Sequence, residues 1–339
     1  MSKKYDLVTF GEVMMRLSSP SASRVAESDV FNKCAGGSEL NVAAGASILG
    51  AKSAFITSIP DNFNGNYVRS KIREKGVFDE YVLTDESDDA RLGIYYYEFG
   101  ASPKKPTVVY DRNDSSFSKI SLNSIPDDIY SSAEIFHTCG ISLALNKNLN
   151  SVTKALIKKF KEQGALISFD CNFRANLWSV EEARAAVTEI LPLIDIFFVS
   201  EETNYHMMGR SGELKDIMKS YSEDYGVSLV FTTQRKVKSP KTHDFTSIAY
   251  DAGADKFFTE KPYTDIDIVD RVGSGDAYCS GVLGGLIKHS DTLSALQYGN
   301  AAAAIKCTVP GDMISTDKKE IDSIIKEHNS DGPKHEMNR

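Results

Sequence analysis

Apolar residues along this chain fall into short, strand-like runs that alternate with longer stretches of helical period. Residues 7–11 read as a buried strand, and 40–49 as an alanine-rich helix closed by Gly50. A strand at 54–59 follows, then a helix at 64–74 with a stop at Gly76. The alternation resumes with strand 135–138, helix 148–163, strand 166–170, helix 180–190 and strands 196–199 and 229–232. Strands alternating with helices of this length predict parallel βαβ units, hence an α/β fold with a doubly wound, mostly parallel sheet flanked by helices. Ligands of such sheets sit beyond the carboxyl ends of the strands.

Two stretches break the rhythm. Residues 13–33 carry no helical pattern, and 91–112 hold two strand-like runs separated by Gly100-Ala-Ser-Pro-Lys-Lys-Pro106. Together they predict a small inserted β-sheet, a candidate lid whose edge offers a contact for a homo-oligomer. The expected division is a core of 1–12, 34–90 and 113–328, a lid of 13–33 and 91–112, and a disordered polar tail at 329–339.

Composition narrows the function. A chain of 339 residues exceeds most single cores, in line with one large domain plus an appendage. Its 41% hydrophobic and 25% charged content is ordinary for a soluble enzyme. A net charge of -8 argues against nucleic acid as a partner but not against an anionic substrate, which a few local arginines can hold. The five cysteines (Cys34, Cys139, Cys171, Cys279, Cys307) contain no Cys-x-x-Cys pair, which fits reduced thiols in the cytoplasm and no zinc site. There is no apolar signal region, and no run approaches the roughly 18 apolar residues of a spanning helix, so no membrane is expected as a partner.

The richest chemistry lies in Asp270-Arg-Val-Gly273-Ser274-Gly275-Asp276, a glycine turn leading into a small-residue helix. Gly273 and Gly275 let amide N–H groups converge, and with the positive end of the helix they form a seat for a phosphoryl group. Asp276 stands at the helix mouth, placed to take a proton from an attacking hydroxyl. The plain alternative is an N-cap Asp after an ordinary turn. Gly36-Gly37 before the first long helix allow close approach of a substrate, and Asn41 offers a donor and an acceptor to a polyol; the alternative is a loop capped by Ser38. Arg112 ends the candidate lid and Arg174 follows the strand at 166–170, so two arginines can meet to grip a carboxylate in bidentate fashion. Either alone reads as a solvated surface residue. In Tyr95-Tyr96-Tyr97 the period of two puts Tyr95 and Tyr97 on one face, suited to covering a sugar or simply to packing. His137 lies in a strand and reads as a core residue.

These pieces resemble the two signatures of the ribokinase-like (PfkB) carbohydrate kinases, in the right order between about residues 5 and 326: Gly36-Gly37 with Asn41, and the run 270–276. The resemblance implies a nucleotide-binding βαβ core, a β lid over the sugar, and ATP and Mg²⁺ as cofactors. Within the family, Arg91-Leu-Gly-Ile-Tyr95, Val109-Tyr110-Asp-Arg112, Asp170-Cys-Asn172-Phe-Arg174, Thr232-Thr233-Gln-Arg235 and Lys306-Cys-Thr-Val-Pro310-Gly-Asp312 look like stretches of 2-dehydro-3-deoxygluconate kinases. That resemblance places Gly37, Tyr95, Tyr110, Arg112 and Arg174 at the sugar acid. It places Thr233, Arg235, Gly273, Gly275 and Asn300 at the nucleotide, with Asp276 as base. Ser200-Glu-Glu-Thr203 departs from the family's Asn-x-x-Glu, which leaves the metal-holding residues unassigned. The stretch 234–243 replaces the usual glycine-containing nucleotide loop. The expected activity is ATP-dependent phosphorylation of the terminal hydroxyl of 2-dehydro-3-deoxy-D-gluconate. The rivals are a fructose or ribose kinase, which has no need of Arg112 and Arg174, and a non-catalytic sugar-acid sensor, which has no need of Asp276. A Rossmann dehydrogenase is disfavoured because no Gly-x-Gly-x-x-Gly follows the first strand.

Overall fold

Apolar runs and glycine breakers divide the chain into fourteen strands and ten α-helices among the residues described, 3–20 and 23–330 of a computed structural model. Strands β1 (Tyr5–Phe10), β2 (Met14–Ser18) and β3 (Asn32–Gly36) precede α1 (Ser38–Ile48), β4 (Ser53–Pro60), α2 (Phe63–Glu74) and β5 (Val82–Asp85). Next come β6 (Gly93–Glu98), β7 (Thr107–Asp111), β8 (Ala133–Cys139), α3 (Gly140–Ala144), α4 (Lys147–Glu162), β9 (Leu166–Asp170), α5 (Val180–Ile190) and β10 (Ile196–Phe198). After α6 (Glu201–His206) and α7 (Leu214–Tyr225), four strands run in succession: β11 (Leu229–Ser239), β12 (Thr242–Asp251), β13 (Lys256–Thr259) and β14 (Tyr263–Asp267). Helices α8 (Ser274–His289), α9 (Thr292–Cys307) and α10 (Lys318–Asn329) complete the order.

The large sheet has the order β13-β12-β11-β10-β9-β8-β1-β4-β5, with β14 paired to β12. Every pair from β11 to β5 is parallel, and β12, β13 and β14 add an antiparallel end. β4 is buried along its whole length, as expected of a parallel strand covered on both faces. A separate sheet has the order β3-β2-β6-β7, with β2 and β6 parallel and the outer pairs antiparallel. Its edge strand β7 is exposed at every position, including Val108, Val109 and Tyr110.

Helix α8 fixes the site's depth. Its Gly281 lies so close to α9 that a Cβ there would overlap the Tyr298 carbonyl, so two helices rich in small residues pack backbone to backbone. α1 lies on the other flank of α8, which brings Ser38 and Asn41 against its first turn.

Three expectations need correction. The strand expected at 229–232 continues to Ser239, and the stretch 234–243 is the tip of a β-hairpin, not a loop: Arg235 faces Phe245 and Val237 faces His243. Half-exposed alternation around Pro240 hides this hairpin from a search for apolar runs. The expected lid boundary after Lys33 cuts through β3, which carries on to Gly36. The expected tail begins one residue inside α10, whose amphipathic turns run to Asn329 after capping by Asp317. Residues 331–339 lie outside those described. Among the described residues no helix is long and apolar enough to cross a membrane.

Candidate active site

The turn into α8 is built around Gly273, whose φ of 81° lies in the left-handed region; a Cβ there would overlap the Asp312 carbonyl. Beyond it, the first-turn amides of Gly275 and Asp276 have no acceptor among the described residues, and the space beside Gly275 is open. The loop before the turn is held from below. Asp270 accepts from the amides of Val272 and Gly311 (3.1 Å each) and pairs with Arg16 at 2.8 Å. Arg16, itself fully buried, also pairs with Asp312 at 2.9 Å and lies over the Tyr97 ring. The buried Lys306 ammonium donates to the carbonyls of Asp270 (3.0 Å) and Val309 (3.1 Å), and burial pushes its pKa down.

Asp276 projects from this first turn. Ser38 Oγ donates to its Oδ1 at 2.8 Å and Asn41 Nδ2 to its Oδ2 at 2.7 Å. Asn172 Nδ2 in turn donates to Ser38 Oγ at 3.0 Å, so α1 and the loop after β9 orient the carboxylate together. Burial raises the Asp276 pKa, while the bonds from Asn41 and Ser38 and the charge of Arg174 hold it down. A second carboxyl, Asp170 at the end of β9, is pushed up to about 7 by burial and then by the charge of Asp276. Two carboxyls in one water-poor place do not ionise together easily, so the pair shares its titration.

A cleft of about 690 Å³ opens over this turn, between the carboxyl ends of the large sheet and the small sheet. Its wall includes Gly37, Ser38, Asn41, Tyr95, Tyr110, Asp170, Arg174, Thr233, Arg235, Arg271, Asp276 and Asp312. Tyr95 donates its hydroxyl to Asp312, and its ring lies 5.7 Å from that of Tyr110. Burial raises the Tyr95 pKa far above the usual, so it remains a donor. The volume suits a small polar substrate beside a nucleotide. Free amides at a helix mouth fit a phosphate group. Among the described residues no three His, Cys, Asp or Glu side chains form a metal cluster, although Glu201 and Glu202 line the cleft.

The family model of the pfkB family carbohydrate kinases matches residues 4–319. The chain belongs to this family. This kinase is 33% identical to a 2-dehydro-3-deoxygalactonokinase of Haloferax volcanii over 321 residues, covering 95% of this chain and 96% of that one. It is 27% identical to a 2-dehydro-3-deoxygluconokinase of Bacillus subtilis over 311 residues, 91% and 92% of the two chains. The crystal structure of a 2-dehydro-3-deoxygluconokinase from Thermotoga maritima superposes with a TM-score of 0.89 at 31% identity, covering 95% of this chain and 99% of that one. Kinases of this family use ATP with Mg²⁺.

In this carbohydrate kinase the structure gathers most residues singled out in the sequence, with three exceptions. Asp276, Gly273, Ser274, Gly275, Gly37, Asn41, Tyr95, Tyr110, Arg174, Thr233 and Arg235 all face one cleft. Arg112 does not line it: Glu12 engages its Nε at 2.8 Å and also its Nη2, so this guanidinium is already neutralised and the expected pair with Arg174 does not form. Gly36 packs against the Asp312 carboxylate behind the cleft wall. Asn300 is fully buried with both ends of its amide satisfied, Oδ1 by Ser247 (2.7 Å) and Nδ2 by Glu260 (2.8 Å), away from the cleft. Sequence reasoning missed Asp170, Asp312, Ser38 and Asn172 as site residues. The position of Asp170 at a strand's carboxyl end was the signal for the first; Asp312 reaches Arg16 across 296 positions, and no local pattern announces that.

Proposed function

We propose that this kinase transfers the γ-phosphoryl group of ATP to the terminal hydroxyl of 2-dehydro-3-deoxy-D-gluconate, giving the 6-phosphate and ADP. The observation that carries it is Asp276, held by Ser38 and Asn41 beside amides of the α8 mouth that have no acceptor among the described residues. Arg174 forms no ion pair among the described residues and grips the substrate's carboxylate, with Tyr95 and Tyr110 walling the sugar. Asp276 then accepts the hydroxyl proton as the oxygen attacks phosphorus and the bond to ADP breaks. The amides of Gly275 and Asp276 and the helix dipole face the charge that develops on the phosphoryl oxygens. Mg²⁺, when bound, would neutralise phosphate charge, and Glu201 and Glu202, which line the cleft, would hold it through water.

The small sheet acts as the lid that excludes water from the cleft. Its exposed β7 edge, with Val108 and Val109, supports pairing of two copies, which sedentary mass by light scattering tests: a monomer overturns it. The unpaired thiols of the described cysteines favour the cytoplasm.

The similarity to the Haloferax enzyme favours the galacto epimer as a second substrate. ADP release is measured with 2-dehydro-3-deoxygluconate, its galacto epimer, gluconate, fructose and ribose. Turnover confined to the keto-deoxy acids is expected, and turnover of fructose or ribose alone overturns the assignment. Arg174→Gln is expected to raise KM for the sugar acid about 10- to 100-fold, the loss of a charge-assisted bond, with KM for ATP little changed.

A further inference from the structure

Arginine pairing in this chain has a sharp spatial pattern. Arg16, Arg24, Arg69, Arg73, Arg91, Arg112 and Arg210 each pair with a carboxylate, and Arg184 donates to the Met207 carbonyl. Among the described residues three arginine side chains have neither hydrogen-bond nor ion-pair partner: Arg174, Arg235 and Arg271. All three line the same cleft. A chain with a net charge of -8 has carboxylates to spare, so guanidinium groups left unpaired together in one cavity point to anions brought by ligands.

The three divide by position. Arg174 follows β9, on the side where Asn172 and Ser38 reach Asp276. Arg271 lies two residues before Gly273, in the loop that turns into α8, and Arg235 projects from β11. These two are close enough that the charge of Arg271, after burial, lowers the Arg235 pKa; Cys307 and then Glu202 act on Arg235 in the other direction. Both also depress the neighbouring His243, which burial already disfavours as a cation. Arg271 has a rigid base. Asp270 is tied to Arg16, Val272 N and Gly311 N, and its carbonyl accepts from Lys306, so the Arg271 backbone is fixed on its amino-terminal side. Its side chain is free while its backbone is held, the condition under which a guanidinium meets a phosphate at little ordering cost.

We propose that Arg235 and Arg271 form a two-guanidinium clamp on the terminal phosphates of the nucleotide, beside the α8 amides, while Arg174 serves the sugar acid. This rests on the kinase reading above. The clamp supplies from the protein part of the charge neutralisation that phosphoryl transfer requires, and it selects di- and triphosphates over a monophosphate.

The test is calorimetric binding of ADP, AMP and inorganic tripolyphosphate, without sugar, to the full chain and to Arg235→Gln and Arg271→Gln. Each substitution is expected to weaken ADP and tripolyphosphate binding about 10- to 100-fold and to raise KM for ATP similarly, with AMP binding and KM for the sugar acid within about twofold of the wild type. Thermal midpoints are expected to hold, because neither side chain has a protein partner to lose. Wild-type affinity for ADP and tripolyphosphate in both variants overturns the clamp, as does a rise in KM for the sugar acid in place of ATP. Turnover by the wild-type chain reads the kinase assignment separately, so a clamp that fails in an active kinase is recognisable as such.

Discussion

Asp276 carries the chemistry proposed here, and its surroundings define what its loss does. Ser38 and Asn41 bond to its two oxygens separately, so Asp276→Asn keeps the shape while removing the proton acceptor. Its expected kcat is lower by about 10²–10⁴-fold with KM for both substrates little changed, measured by steady-state ADP release. Near-normal turnover excludes Asp276 as base. Asp170 gives a pH signature. Burial, and then the charge of Asp276, push its carboxyl up to about 7. Asp276→Asn removes that charge, so the Asp170 carboxyl is expected to titrate at lower pH in the variant, read by difference infrared spectroscopy. An unmoved titration contradicts the coupling.

At the scale of elements, one buried ionic cluster joins parts distant in the chain. Arg16 on β2 holds Asp270 before α8 and Asp312 after α9, and Tyr95 on β6 adds a donor to Asp312. The small sheet and the phosphate cradle are thereby one unit. Arg16→Met leaves two buried carboxylates without their cation, and breaking such a pair costs about 3–5 kcal/mol. A matching fall in the urea midpoint is expected, with loss of turnover as the 270–273 loop loses its anchor. Burial raises the Asp312 pKa, so this carboxyl takes up a proton in the variant and the loss shrinks at acid pH, where the same titration detects it. Elements carried by repeating local pattern were legible in the sequence. β9 and α5 lie at the expected residues because apolar period, a Ser179 capping box and flanking glycine all agree. The β11–β12 hairpin was not, because its tip exposes both faces and shows no apolar period.

For the whole molecule, the large sheet buries ionisable groups whose cost depends on pH. His137 in β8 is fully buried, with Ser168 Oγ at its Nδ1 as the one hydrogen-bond partner of the ring among the described residues, and burial drives its pKa down to about 3. Its folded pKa lies below the unfolded one, so the stabilisation is complete above about pH 6.5 and is lost as pH falls below it, at up to about 1.4 kcal/mol per pH unit. The buried carboxyls with raised pKa oppose this, so the difference between wild type and His137→Leu isolates the histidine. The variant is expected to show a shallower loss of stability from pH 6.5 to 4.5 in denaturant titrations; equal slopes refute the assignment. The sequence by itself determined the alternation of strands and helices, the glycine turn before α8 and the presence of a carboxylate beside it, since each depends on neighbours within a few residues. Only the tertiary structure decided which arginines are free. Arg112 meets Glu12 across 100 positions, whereas Arg174, Arg235 and Arg271 reach the cleft unpaired. A charge's partner is set by the packing of distant segments, and no local pattern encodes it.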